Sequence, residues 1–397
     1  MKAGKLLGKG SYGCVFDPPI ECVDGTKPSG VGKVSNKTMI HEQNIMTQVV
    51  QKIDPMFIFT NPIVHVCQVT LDKLKKDSDY VQCELVSDQQ KAYDQLVYKE
   101  RGSDLFQYSK SNDCFTEEMM PKWITFINGL LSMSTNKYSH FDIKPENMIL
   151  TDKKNILLID FGTTLPFSKI YDDNELLKYE YYVYPPEFKV YYHLQNLKND
   201  TMLINMKNDN RMNEYYRMIN FKLTMKLKYK MNGYEYIRHK LIEINNDLET
   251  VFYPQLESFM EELINQMKRN NLTLENDLKP IFNQWANKVD VFSLGVSLAI
   301  LMRDLKHVQI IRKCIHANPA KRISMQEVKD YFMNLYECSP EECMTKYTLH
   351  ELKRLVDEKG LDKGLKRLSK QNLCDKIYKY LEKRSDHPTI KKGRKSS

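Results

Sequence analysis

The chain has 397 residues, 42% of them apolar and 28% charged, with a formal net charge of +8. That length can bury a sizeable core, and the composition is that of an ordered globular protein, which excludes a fibrous or wholly disordered chain. The charge is concentrated: residues 344–397 hold 16 Lys/Arg against 7 Asp/Glu, and the rest of the chain is close to neutral. A neutral body with a basic tail points to an anionic partner met by the tail.

Nine cysteines are scattered singly, with no CxxC pair. This spacing argues against a disulfide framework and for a reducing compartment, and no clustered ligands announce a zinc site. Met1 to Leu7 carries two lysines and no long apolar run, so no secretory leader is expected. The longest apolar stretch, Val289 to Met302, contains Asp290 and is too short to span a bilayer. A soluble intracellular protein is expected.

Residues 1–101 read as short strands and turns with one helical stretch near His41 to Gln51. Within them, Gly8-Lys9-Gly10-Ser11-Tyr12-Gly13-Cys14-Val15 fits G-x-G-x-x-G-x-V. Glycines at these positions let backbone N–H groups close over phosphates. The P-loop pattern is absent, because Cys14 and not a lysine follows Gly13. A hairpin's length later, Val31-Gly32-Lys33-Val34 can carry a lysine toward the same phosphates, and Glu42 is its natural ionic partner.

Apolar spacing predicts a helix over Thr116 to Met133, capped by Thr116. His140-Phe141-Asp142-Ile143-Lys144-Pro145-Glu146-Asn147 follows it. Here a carboxylate, an ammonium and an amide can converge on one phosphoryl group. Asp142 would accept the proton of an attacking hydroxyl, Lys144 would neutralise charge, and Asn147 would ligate a metal. Two strand candidates, Met148–Leu150 and Ile156–Ile159, flank the polar turn 151–155 and lead to Asp160-Phe161-Gly162. A hairpin of that size returns Asp160 beside Asn147, so that two oxygen ligands face one divalent cation.

This set resembles the eukaryotic protein kinase family, with its glycine loop, strand lysine, H-x-D-x-K-x-x-N and D-F-G. Tyr184-Pro185-Pro186-Glu187 is similar to the A-P-E segment, Asp290 to Gly295 to the D-x-W-S-x-G helix start, and Asn318 to Arg322 to the late arginine motif. The resemblance implies an α+β, bilobal kinase fold with a small β-rich lobe (1–101) and a larger helical lobe (102–187 and 286–337). It further implies an Arg322–Glu187 pair, ATP with Mg2+ (or Mn2+ in its place), a protein substrate, and Ser/Thr specificity from the lysine at Lys144. Leu96 to Leu105 resembles the lobe-joining segment of casein-kinase-like and vaccinia-related kinases. By that likeness Tyr98, or Val97 on a one-residue slip, is the gatekeeper, and Asp104 meets the ribose.

Phe141 departs from the family's H-R-D arginine, so activation by an activation-loop phosphate is not expected. The tyrosine-rich stretch before Glu187 lacks the usual threonine. About a hundred residues separate Glu187 from Asp290, which makes 188–285 a helical insertion, either packed decoration or a docking element. Residues 344–384 are similar to the SAP helix-extension-helix DNA-binding module, with a helical hairpin for protein docking as the alternative, and 385–397 form a basic end. The Lys/Asn/Tyr-rich composition and large insertion resemble kinases of large DNA viruses, which would place the protein in a host cell compartment or in the virion. A kinase-fold scaffold tethered to nucleic acid and a small-molecule kinase are the competing functions. Glu187, Asp290 and Arg322 speak against the latter.

Overall fold

The computed structural model describes residues 4–10, 13–35, 40–76, 82–83, 86, 91–172, 177, 181–228, 238–243, 248–302 and 307–337, with a few positions beyond, chiefly 368–376. Most of the expected C-terminal module, including its second helix from Ile377, and the tip of the glycine loop, Ser11 and Tyr12, lie outside the described residues.

The small lobe is an antiparallel sheet of five strands: β1 (Lys5–Gly10), β2 (Gly13–Asp17), β3 (Val31–Ser35), β4 (Ile63–Thr70) and β5 (Ala92–Tyr98), in the order β1-β2-β3-β5-β4. Its core gathers Phe16, Ile20, Val34, Val69, Leu74 and Tyr93. Between β3 and β4 a helix begins at Ile40–Asn44 and runs on through a π-helical stretch, Ile45–Val50, and a last turn, Gln51–Ile53. Glu42 faces the small lobe, whereas Ile45, Met46 and Val50 bury their side chains in the core of the large lobe. One helix thus belongs to both halves.

The segment after that helix is built around Asp54. Its carboxylate accepts from the N–H groups of Ile58 (2.8 Å), Phe59 (3.0 Å) and Thr60 (3.1 Å) and from the Thr60 hydroxyl (2.9 Å). The loop so shaped presents Phe59 to the Met120–Thr135 helix at Gly129, where a Cβ would stand 2.0 Å from the ring. Glycine is required there to admit the ring.

In the large lobe, β6 (Gly102–Asp104), β8 (Met148–Thr151) and β9 (Ile156–Leu158) form a three-stranded sheet, and β7 (Tyr138–Ser139) pairs with β10 (Leu165–Pro166). The expected hairpin is therefore present, with Met148 opposite Leu158. The apolar stretch from Val289 is a buried helix, Val289–Leu301. Helices Pro186–Leu197, Thr201–Asn208, Met212–Lys228 and Tyr253–Arg269 join the same continuous core, so the described part of the 188–285 region is packed against the lobe. No described helix is long and apolar enough to cross a membrane.

Three expectations fail. The helix after residue 116 starts at Met120, with Pro121 in its first turn and no side-chain cap; Thr116 contributes its carbonyl to Met119 and Met120. A proline lacks the N–H that a cap would satisfy, so it suits this position without one. The cysteines are not all single: Cys14 bonds Cys83, and Cys22 bonds Cys67. Their separations of 69 and 45 residues come from the folding of the sheet and leave no trace in local spacing. For the same reason clustered ligands do exist, since His65 joins Cys22 and Cys67.

Candidate active site

The site is held from below by the Val289–Leu301 helix. Asp290, at its first turn, accepts from the Ser139 hydroxyl (2.7 Å) and from the N–H groups of His140 (2.8 Å) and Phe141 (3.1 Å). Burial pushes the Asp290 carboxyl up, and these donors pull the other way. Two turns on, the Ser297 hydroxyl donates to the Ile143 carbonyl at 2.9 Å. An otherwise apolar helix thus fixes both ends of the loop that carries Asp142.

His140 is buried edge-on against Phe161, with ring centroids 4.8 Å apart. The Asp142 N–H donates to its Nδ1 at 3.3 Å, so Nε2 carries the proton and points at the Ile159 carbonyl, 3.2 Å away. Burial lowers the imidazole pKa more than the surrounding carboxylates raise it. Phe141 takes a positive φ of 70°, turning its ring into the core against Phe188 while Asp142 faces the cleft.

Asp142 Oδ2 accepts from Lys144 Nζ at 2.7 Å and from Asn147 Nδ2 at 2.8 Å. Its Oδ1 is buried and has no hydrogen-bond partner among the described residues. Asn147 Nδ2 also donates to the Asp142 carbonyl at 2.9 Å, which leaves Asn147 Oδ1 as the atom free to ligate. Burial works to lower the Lys144 pKa, but the Asp142 charge outweighs it and holds the ammonium above the usual lysine range. The Lys144 ammonium also lies 5.3 Å from the centre of the Tyr181 ring. Tyr181, from the tyrosine-rich stretch before Glu187, thus borders Lys144.

Lys33 reaches the same cleft from β3. Its Nζ lies 2.8 Å from Glu42 Oε2 and 2.9 Å from Asp160 Oδ1. Burial opposes the charged lysine, yet the two carboxylates together raise its pKa. Asp160 is likewise penalised by burial but held below the ordinary carboxylate range by Lys33. It sits in the left-handed region, φ 65°. The Ile159 N–H donates to the Asn147 carbonyl at 3.0 Å, so the hairpin does bring Asp160 beside Asn147.

Gly8, Lys9 and Gly10 on β1 pair with Val15, Cys14 and Gly13 on β2, and Val15 pairs with Lys33. A Cβ on Gly13 would lie 2.9 Å from the Val34 carbonyl oxygen and 3.1 Å from Lys33 Cγ. The glycine lets the lysine stem pass beneath the loop. Tyr98 donates its hydroxyl to Glu42 Oε1 at 2.5 Å, which puts it, and not Val97, beside the Lys33–Glu42 pair. Burial and then the Glu42 charge raise the phenol pKa. Asp104 caps the short helix Leu105–Ser109 by accepting from the Gln107 N–H at 2.8 Å.

Farther out, Arg322 grips Glu187 with two bonds of 2.8 and 2.9 Å, both side chains fully buried. The Ser293 hydroxyl donates to the Val183 carbonyl at 2.8 Å. These contacts moor the segment that leads from Asp160 back to the lobe. Sequence reasoning missed Asp54, Ser139 and Ser297, and it placed Ser293 and Tyr181 in their segments without a contact for either. Serines at 293 and 297, one turn apart inside an apolar helix, were the available sign that this helix holds neighbouring loops.

Residues 1–189 match the family model described as the protein kinase domain. A stretch of 96 residues is 32% identical to death-associated protein kinase 2 of Mus musculus and of Homo sapiens, covering 21% of this chain and 26% of each relative. A stretch of 175 residues is 23% identical to the carbon catabolite-derepressing protein kinase of Saccharomyces cerevisiae, covering 44% of this chain and 24% of that protein. The chain thus spans about a quarter of the length of these curated relatives. The β-sheet N-terminal half, the helical C-terminal half and the Lys33–Glu42 and Arg322–Glu187 pairs agree with the protein kinase domain fold that residues 1–189 match.

Proposed function

We propose that the protein is a serine/threonine protein kinase that transfers the γ-phosphoryl group of ATP to a protein hydroxyl. The observation that carries this reading is Asp142 Oδ1, a buried carboxylate oxygen without a hydrogen-bond partner among the described residues, set beside Lys144 and Asn147. An unsatisfied buried acceptor is costly unless a ligand completes it. A substrate hydroxyl is the donor that fits.

The donor set fits a hard divalent cation as well, since Asp160 and Asn147 Oδ1 are oxygen ligands facing one cleft. Asp160 and Asn147 would hold Mg2+ there, and the ion would supply neutralisation of the phosphate charge. Lys33, kept in place by Glu42, binds the α- and β-phosphates, and the strands flanking the glycine loop bring backbone over them. Asp142 orients the hydroxyl and takes its proton as the oxygen bonds to the γ-phosphorus. The bond from that phosphorus to the bridging oxygen breaks, ADP leaves, and Lys144 offsets charge on the moving group. Tyr98 closes the back of the nucleotide pocket and Asp104 stands at the ribose edge.

For the tail we propose contact with nucleic acid, supported by the charge surplus of residues 344–397. Binding of labelled DNA by the full chain should weaken with salt, and loss of the tail should abolish it.

Radiolabelled ATP, Mg2+ and generic basic and acidic proteins test the main reading. Labelled phosphoserine or phosphothreonine is expected. Absence of all transfer, to itself or to any substrate, would favour a scaffold.

A further inference from the structure

Three soft-metal ligands meet in the small lobe, outside the site described above. Cys22 lies in the turn between β2 and β3. His65 and Cys67 stand two apart on β4, and so on one face of the sheet. Their ligand atoms all lie within 4.8 Å of one another. The surroundings hold them there. The Cys22 N–H donates to the Thr26 carbonyl (2.9 Å) and the Val23 N–H to that of Gln68 (2.8 Å), which ties the turn to β4. Gln95, buried on β5, accepts from the Ile20 N–H at 2.9 Å and directs its Nε2 to Cys67 Sγ at 3.5 Å. Lys73 Nζ sits 2.5 Å from the Cys22 carbonyl oxygen.

The Cys22–Cys67 disulfide accounts for the two sulfurs. It does not account for His65, whose Nε2 is buried and without a hydrogen-bond partner among the described residues. Two cysteine sulfurs and one imidazole at ligand spacing are the donors a tetrahedral zinc site uses. The Gln95 amide, 3.5 Å from Cys67 Sγ, is the kind of outer donor that stabilises a metal-bound thiolate.

We propose that Cys22, His65 and Cys67 form a binding site for a thiolate-preferring divalent cation, zinc foremost, occupied when the Cys22–Cys67 disulfide is reduced. A phosphine or dithiol reductant supplies two electrons, two protons complete the thiols, and the S–S bond breaks. Zinc then displaces both thiol protons to form two Zn–S bonds, and neutral His65 donates a nitrogen lone pair. Water or the Asp24 carboxylate, two residues beyond Cys22, completes the set. The turn before β3 is then pinned to β4 covalently in the oxidised protein and by metal in the reduced protein. This site is independent of the kinase reading.

The test uses the full chain with Cys338 and Cys343 changed to Ser, so that the remaining clustered thiols are those of the small lobe. The protein is reduced anaerobically with a phosphine, stripped of metal, and titrated with Co2+ and then Zn2+. The expected result is the sulfur-to-cobalt charge-transfer band and the visible bands of tetrahedral cobalt, saturating at one equivalent and displaced by Zn2+. Untreated, oxidised protein should show none. His65→Ala should weaken Zn2+ binding about 100-fold or more, at least the loss caused by disturbing ligands' outer partners, yet still form the disulfide by thiol counting. Cys14→Ser should leave the bands unchanged. Reduced protein without a cobalt–sulfur band, or His65→Ala binding Zn2+ as tightly as its parent, would overturn the proposal. Because His65→Ala leaves both cysteines and their disulfide in place, its folding can be checked independently of metal binding.

Discussion

Phe141 and Phe188 stack with ring centroids 5.6 Å apart and planes 26° from parallel. Phe188 in turn meets Tyr171 at 5.7 Å and Tyr184 at 5.9 Å, and Tyr171 meets Phe282 at 5.4 Å. The loop bearing Asp142, both ends of the segment after Asp160, and the helices beyond Pro186 are therefore joined by aromatic packing. In the family, the residue at Phe141 is an arginine that waits for a phosphate. Here the position is apolar, buried and stacked on Phe188, so it offers no cation to receive a phosphate.

Phosphatase-treated protein should accordingly retain its phosphotransfer rate. Loss of all activity on phosphatase treatment, restored by phosphorylation at Thr163, Thr164 or Ser168, would contradict the arrangement. Phe141→Ala should cost about 3–5 kcal/mol of stability, as removal of a buried aromatic ring does, and chemical denaturation measures it.

Lys33→Met removes the cation that two carboxylates share. Phosphotransfer should fall about 100-fold or more, the scale on which loss of one preorganised donor acts. The same change should alter the response to acid. Asp160 has a folded pKa below its ordinary 3.8, so it contributes stability that is fully present above that value and lost as pH falls through the folded one. Urea midpoints should therefore converge for the two proteins in strong acid and separate near neutrality.

Arg322→Met strands Glu187 in the core. About 3–5 kcal/mol of stability should go, whereas the double change Arg322→Met with Glu187→Leu should recover much of it. A double-mutant cycle from equilibrium unfolding gives the coupling. Additive costs would contradict a dependent pair.

His316 supplies a second pH response. Its burial, and then the Arg322 charge, push its pKa down to about 4 from 6.5, while its Nδ1 accepts from the Asn318 N–H at 3.0 Å. A group depressed in the folded state favours unfolding as it protonates, so stability should decline as pH falls from 6.5 toward 4. His316→Gln should flatten the profile across that window.

The hairpin from Met148 to Leu158 was legible because polar residues 151–155 interrupt two apolar runs, a local pattern with a local cause. The buried helix from Val289 was legible in the same way. The Lys33–Glu42 pair was suggested by its neighbourhood, and Arg322–Glu187, 135 residues apart, only by resemblance to a family. Asp54 was invisible: a single aspartate in a loop does not reveal that it accepts from four donors. Nor could spacing disclose that β4 carries Cys67 to Cys22, because that depends on how β4 sits against the turn after β2. Thr116 misled because a capping residue and a helix pattern stood close together, and Pro121 decided the start instead.

Asp142 Oδ1 is proposed to receive the proton of a substrate hydroxyl. The most direct test of that role is phosphate transfer from labelled ATP under single-turnover conditions by the wild type and by Asp142→Asn, with ATP binding measured in parallel. The amide keeps the size of the carboxylate but not its basicity, so transfer should fall about 10²–10⁴-fold while nucleotide affinity stays near that of the wild type. Equal transfer rates in the two proteins would contradict the account.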